Sequence, residues 1–158
     1  MKYDTNMNKF FRIALQNAQD HDYSDQEYHL CAVLVRGGSV VSVGYNKRNT
    51  NAFVEHYTDL AKGQRDWCMS THAEMDAVLQ VRSKTDLQGT KLYVIRKHQD
   101  VKNYGVFGLA KPCEICEHVL YNYGIRRAYY TIDDHNHGVM KITNPASEFR
   151  KNENEKRK

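Results

Sequence analysis

The stretch STHAEMDAV (70–78) decides how this chain is read, because it sets a histidine and a glutamate two residues apart with only alanine between them. Alone it is ambiguous. Acidic residues favour helix N-termini and polar first turns are common, so His72-Ala73-Glu74 reads first as the start of an ordinary surface helix. Its second reading is half of a metal site, and the rest of the chain has to choose between them.

The other half is KPCEICEHVL (111–120). A C-x-x-C by itself is a redox pair, half of a structural zinc site, or chance. Its setting says more. Pro112 is a favoured first-turn residue, which puts Cys113 and Cys116 three apart on one face of a starting helix. The N–H groups and dipole there favour thiolates, the form that binds metal. His72 and Glu74 hold the matching position at the start of another helix, and two such starts at one end of a sheet can converge. One imidazole and two thiols suit Zn²⁺, which prefers tetrahedral nitrogen and sulfur ligands. Three protein donors leave one position for water, the pattern of a catalytic site. Glu74 is then not a ligand but a proton carrier.

Around these halves the chain alternates. Met7, Phe10, Phe11, Ala14, Leu15 and Ala18 recur at helical spacing. LCAVLVR (30–36) and VVSVGY (40–45) are strands joined at Gly37-Gly38-Ser39 as a hairpin. Residues 46–71 read as a long polar loop, followed by a helix over 71–82. KLYVIR (91–96) is a strand, 97–110 a polar loop, and 112–123 a helix stopped by Gly124. RRAYYTI (126–132) is the last clear strand. This order predicts an α/β fold, a three-layer α/β/α sandwich with a mixed central sheet.

The totals are compatible with one domain of 158 residues, expected to span 1–145, followed by a basic tail (146–158) expected to be disordered. The net charge of +4 is concentrated there: RKNENEKRK (150–158) holds five Lys or Arg, and the body before it is close to neutral. That weakens any case for nucleic acid as the main partner. No apolar run approaches the ~18 residues of a membrane span, and no signal-peptide pattern opens the chain, so a cytoplasmic protein without a membrane partner is expected.

The paired motif, His72-Ala73-Glu74 with Pro112-Cys113 and Cys116, resembles that of the cytidine/deoxycytidylate deaminase superfamily, and most closely its CMP/dCMP-type branch. VSVGYNKRN (41–49) and GIRRAYYT (124–131) look like segments of that branch, and the resemblance covers about residues 6–133. It implies a cytidine deaminase-like fold in which His72, Cys113 and Cys116 hold Zn²⁺ and Glu74 moves protons during attack on C4 of cytosine. It also implies that Asn46 holds the sugar, that the Ala73 amide faces the base carbonyl, and that the chain self-associates. Lys47 and Arg48, directly after Asn46, are candidates for a substrate phosphate. Three features depart from the branch: KRNTN after Gly-Tyr-Asn, Asp76-Ala77 where Asn-Ala is common, and the fourteen residues between the strand and Lys111-Pro112.

The expected function is hydrolytic deamination of a cytosine nucleotide, dCMP-like, to the uracil form. The rival is a polynucleotide deaminase acting on single-stranded cytosine or tRNA adenosine; a non-catalytic zinc module and a thiol-redox protein rank lower. Cys68 and His56 are weak candidates for a second metal. Cys31 is expected in the core, His135 and His137 in a solvated turn, and Trp67 and Tyr104 as loop anchors or base-stacking rings.

Overall fold

Asn8 starts the first helix, its Oδ1 accepting from the Phe10 amide at 2.8 Å. The computed structural model describes residues 7–24, 26–49, 52–60, 70–81 and 87–144. Its elements run α1 (Lys9–Asp20), β1 (His29–Arg36), β2 (Ser39–Tyr45), α2 (Ala52–Leu60), α3 (Ala73–Leu79), β3 (Lys91–Lys97), α4 (Val101–Tyr104), β4 (Phe107–Gly108), α5 (Glu114–Asn122), β5 (Arg127–Thr131) and β6 (His137–Lys141). The strands form one sheet in the order β2-β1-β3-β5-β6, with β4 also on β3. The β3–β5 pair is parallel and the other pairs are antiparallel.

Alternation along β1 and β3 makes the layers. Cys31, Val33 and Val35, with Tyr93 and Ile95, join Phe11, Ala14, Leu15 and Ala18 of α1 in one core. Ala32 and Leu34, with Leu92 and Val94, join residues of α2, α3 and α5 in the other. Successive strand side chains point to opposite faces, so a sheet covered on both sides is the middle of three layers. The expected mixed α/β/α sandwich is the observed one.

Several elements differ from expectation. The stretch 46–71 contains α2, whose buried Val54 and Tyr57 pack it toward α5; Asn122 donates to the Tyr57 hydroxyl at 3.0 Å. Helix α3 is shorter than 71–82 suggested. The supposed loop 97–110 is a hairpin that folds back on β3, with Lys97 opposite Phe107 and Arg96 opposite Gly108. It takes the edge of β3 where β5 stops. Thr131 joins the two, its hydroxyl accepting from Arg96 N at 3.3 Å and donating to Gly108 O at 2.8 Å. Strand β6 was not legible at all. The turn before it is built by Asp133, which accepts from the amides of His135 and Asn136 at 2.9 and 2.8 Å, so the two histidines belong to a hairpin turn and its first strand residue. The expected tail lies outside the described residues.

One glycine controls where α3 sits. A Cβ added to Gly44 of β2 would lie 2.2 Å from Ala77 N and 2.4 Å from Ala73 O, both backbone atoms that cannot swing aside. The helix therefore rests on the strand without an intervening side chain, and the Ser42 hydroxyl donates to Ala77 O at 2.7 Å across the contact. Gly44→Ala should force α3 outward at a cost of about 1–3 kcal/mol, the usual range for overpacking. A denaturant midpoint equal to wild type would refute the close contact.

Candidate metal centre and the cavity beside it

His72 and Cys113 occupy equivalent places: each is the N-cap residue of its helix, α3 and α5, in extended backbone conformation (ψ 158° and 171°). Neither side chain caps its helix. Both N-cap side chains are instead turned toward each other, and Cys116 enters from one turn into α5. His72 Nδ1 lies 3.5 Å from Cys113 Sγ and 3.3 Å from Cys116 Sγ. Among the described residues these three form the group able to hold a metal, with donor atoms within 4.8 Å of one another. Tetrahedral coordination at zinc–sulfur and zinc–nitrogen lengths of about 2.3 and 2.0 Å puts nitrogen and sulfur about 3.5 Å apart. The donor set and its spacing fit Zn²⁺.

Glu74 is the next inward side chain. It is 3% exposed, and Cys116 Sγ donates to its Oε2 at 3.0 Å. Burial holds its carboxyl above the usual range, against the opposing pull of His72 and the Cys116 thiol. The two thiols split. Hydrogen bonding from Cys116, reinforced by His72, brings Cys113 down to about 4, while burial and the neighbouring Cys113 and Glu74 push Cys116 well up. The pair thus favours charge on Cys113 over Cys116, and a dication would favour the thiolate form of both.

The strand side locates this cluster. Asp76, buried at 3% exposure, accepts from Tyr45 N at 2.9 Å, Lys47 Nζ at 2.9 Å and Gln80 Nε2 at 3.2 Å. Just before His72, Thr71 and Lys47 exchange both backbone hydrogen bonds, at 2.9 and 3.0 Å. The end of β2 therefore grips the start of α3 through both main chain and side chain.

A cavity of about 450 Å³ opens beside the cluster, lined by His72, Ala73, Glu74 and Cys113, by Asn46, Tyr28 and Leu30, and by Arg96, Leu109 and Lys111. The expected site residues divide accordingly. His72, Ala73, Glu74, Cys113 and Asn46 meet there, with Cys116 behind. Lys47 and Arg48 do not; they line a separate recess with His21, Asp22 and Asn49. The reason is the charge of Asp76, which draws Lys47 toward α3. Arg96 and Lys111 are the cations that sequence reasoning missed. Asn46 is largely engaged: its Nδ2 donates to Gln26 Oε1 and Tyr28 O at 3.0 and 2.7 Å, and its Oδ1 accepts from Leu30 N at 2.8 Å.

The remaining candidates are quickly placed. Cys31 is fully buried, its thiol pushed up to about 12 by burial, as a core residue would be. Tyr104 is 70% exposed on α4, with its ring 5.7 Å from that of His98. His56 is exposed on α2 beside Tyr57. Cys68 and Trp67, and with Cys68 the idea of a second metal, lie outside the described residues.

The sequence matches the cytidine and deoxycytidylate deaminase zinc-binding region over residues 4–132, and the chain belongs to that family. A comparison with curated proteins finds no match. Among solved structures, cytidine deaminase from Burkholderia pseudomallei is similar at 18% identity, over 86% of this chain and 94% of that one, with a TM-score of 0.53. The dCMP deaminase of cyanophage S-TIM5, in complex with dCMP and dUMP, is 20% identical over 79% of this chain and 83% of that one, at a TM-score of 0.43. The first likeness shows a shared fold, and the family match makes the general activity zinc-dependent deamination.

Two measurements check this geometry. Purified protein should carry about one zinc per chain, and His72→Ala, Cys113→Ala and Cys116→Ala should each lose it; full retention by any of the three would remove that residue from the ligand set. Lys47→Ala should lower stability by about 1 kcal/mol, a modest figure because the lysine is 45% exposed. An unchanged unfolding curve would show the Asp76 pair to be idle.

Proposed function

We propose that this family member deaminates a cytosine nucleotide of dCMP type, releasing ammonia and leaving the uracil nucleotide. The observation that carries the reading is Glu74: a buried carboxyl, in contact with the zinc-ligand cluster, that also lines a cavity large enough for a mononucleotide. A structural zinc module has no use for such a group.

When bound, zinc supplies the Lewis acidity that makes water nucleophilic near neutral pH. The protein's own residues do the rest. Glu74 takes a proton from the attacking water and passes it to ring N3 as the oxygen bonds to C4. A second proton moves through the same carboxyl to the amino group, the C4–N bond breaks, and ammonia leaves. Ala73 is the first residue of α3, so its amide is one of those a helix cannot satisfy internally; it is free to donate to the base carbonyl. Asn46 retains one acceptor lone pair on Oδ1 after its three existing bonds, enough to take a hydroxyl of the sugar. Apolar Leu30, Leu109 and the Tyr28 ring offer flat contact for the base.

A panel of cytosine, deoxycytidine, dCMP, dCTP and a single-stranded oligonucleotide tests the substrate class. The mononucleotide should give the highest kcat/KM; turnover of the oligonucleotide alone would transfer the reading to the polynucleotide deaminases. Glu74→Gln should keep the zinc yet lose ~10²–10⁴-fold in turnover, and a near wild-type rate would exclude Glu74 as the proton carrier.

A further inference from the structure

The hairpin that replaces the expected 97–110 loop also shapes the cavity's charge. Arg96 is the last-but-one residue of β3, opposite Gly108 of β4, and Lys111 follows where the hairpin runs on toward Pro112. Both line the cavity that contains Glu74. Among the described residues neither takes part in an ion pair, and the one carboxylate in the cavity lining is Glu74, which faces the metal cluster. Two cations therefore stand on the wall of this space without an ion-pair partner among the described residues.

We propose that Arg96 and Lys111 form the anion-binding wall of the cavity and take the phosphate of the nucleotide whose base lies against Glu74. The inference rests on the nucleotide reading above and assigns its phosphate contact. Arg96 is built for the role. Its guanidinium lies over the Tyr28 ring, 4.4 Å from the ring centre, a cation–π contact that holds it at the cavity wall. Its shaft passes near Gly108, where an added Cβ would be 2.7 Å from the His98 ring and 3.2 Å from the arginine Cδ. A planar fork held in this way can meet two phosphate oxygens at once. Lys111 is exposed and adds a mobile point charge next to Pro112 and Cys113. The strand beneath is firm: Asp134 accepts from Val106 N at 2.8 Å and Phe107 N at 2.7 Å, and Ala110 N donates to Thr131 O at 2.9 Å. Lys47, the earlier candidate, is already committed to Asp76 and faces another recess.

The test titrates dUMP and deoxyuridine calorimetrically into the zinc-loaded full-length chain, as wild type, Arg96→Gln, Lys111→Gln, Arg96→Lys and Lys102→Gln. Losing a charged phosphate contact should weaken dUMP binding roughly 10- to 100-fold in Arg96→Gln, far more than any change for deoxyuridine. Lys111→Gln should move in the same direction, Arg96→Lys should recover part of the loss, and Lys102→Gln, which removes a charge of the same hairpin away from the cavity, should bind dUMP like wild type. The exposed Lys111 keeps the test sound should Arg96→Gln fold poorly. The proposal is overturned if dUMP does not bind the wild type, if both Gln variants bind it within about twofold of wild type, or if deoxyuridine suffers equally. Turnover of dCMP by the wild type and by both Gln variants is scored separately. A preserved dUMP contrast without deamination keeps the anion wall and removes the nucleotide-deaminase reading, whereas dCMP turnover indifferent to both charges does the reverse.

Discussion

The whole centre hangs on how near α3 comes to β2. Backbone meets backbone at Gly44, and the helix has only Ala73 and Ala77 to offer on that side. With the two elements at that distance, the Asp76 carboxylate can reach the amide of Tyr45 and the ammonium of Lys47 together. Those bonds fix the rotation of the helix as well as its height. Once rotation is set, His72 and Glu74 cannot face anywhere but α5. A buried carboxylate with three donors is tolerable where an unpartnered one is not, so Asp76 departs from the family's usual asparagine together with its own cation.

The candidate metal donors occupy positions where helices normally want something else. Serine, threonine, asparagine and aspartate are the residues that satisfy the free amides of a helix start. Histidine at 72 and cysteine at 113 give up that stabilisation. The anionic charge that two thiolates bring sits instead at the positive end of α5. An ion held by these three side chains would repair the weakness that they create, and would so link folding to metal binding.

The layered fold was legible because its main strands are buried on both faces and its main helices are amphipathic. The convergence of His72, Cys113 and Cys116 was legible for a related reason: donor type and helix-start position are local properties. What escaped depends on distant partners. A two-residue strand such as β4 has no periodicity to read. Strand β6 lies at the sheet edge with Val139 60% exposed, and so shows little of the apolar alternation of its neighbours. Arg96 looks, in sequence, like the ordinary charge that ends a strand; that it lines the cavity beside Tyr28 depends on a partner far away in the chain. The placement of Lys47 in another recess was equally hidden, because its partner stands 29 residues on.

The hairpin between β3 and α5 leaves the sheet at Lys97 and returns at Phe107, the residue paired with it. An excursion whose two ends touch is a self-contained plug. It could be lengthened, shortened or exchanged without moving Cys113, because the geometry that delivers the chain to α5 is fixed at the neck. The entropic penalty of a longer loop grows only with the logarithm of its length. Variation in that excursion is thereby uncoupled from the cavity, whose lining takes Arg96 from before the neck and Leu109 and Lys111 from after it.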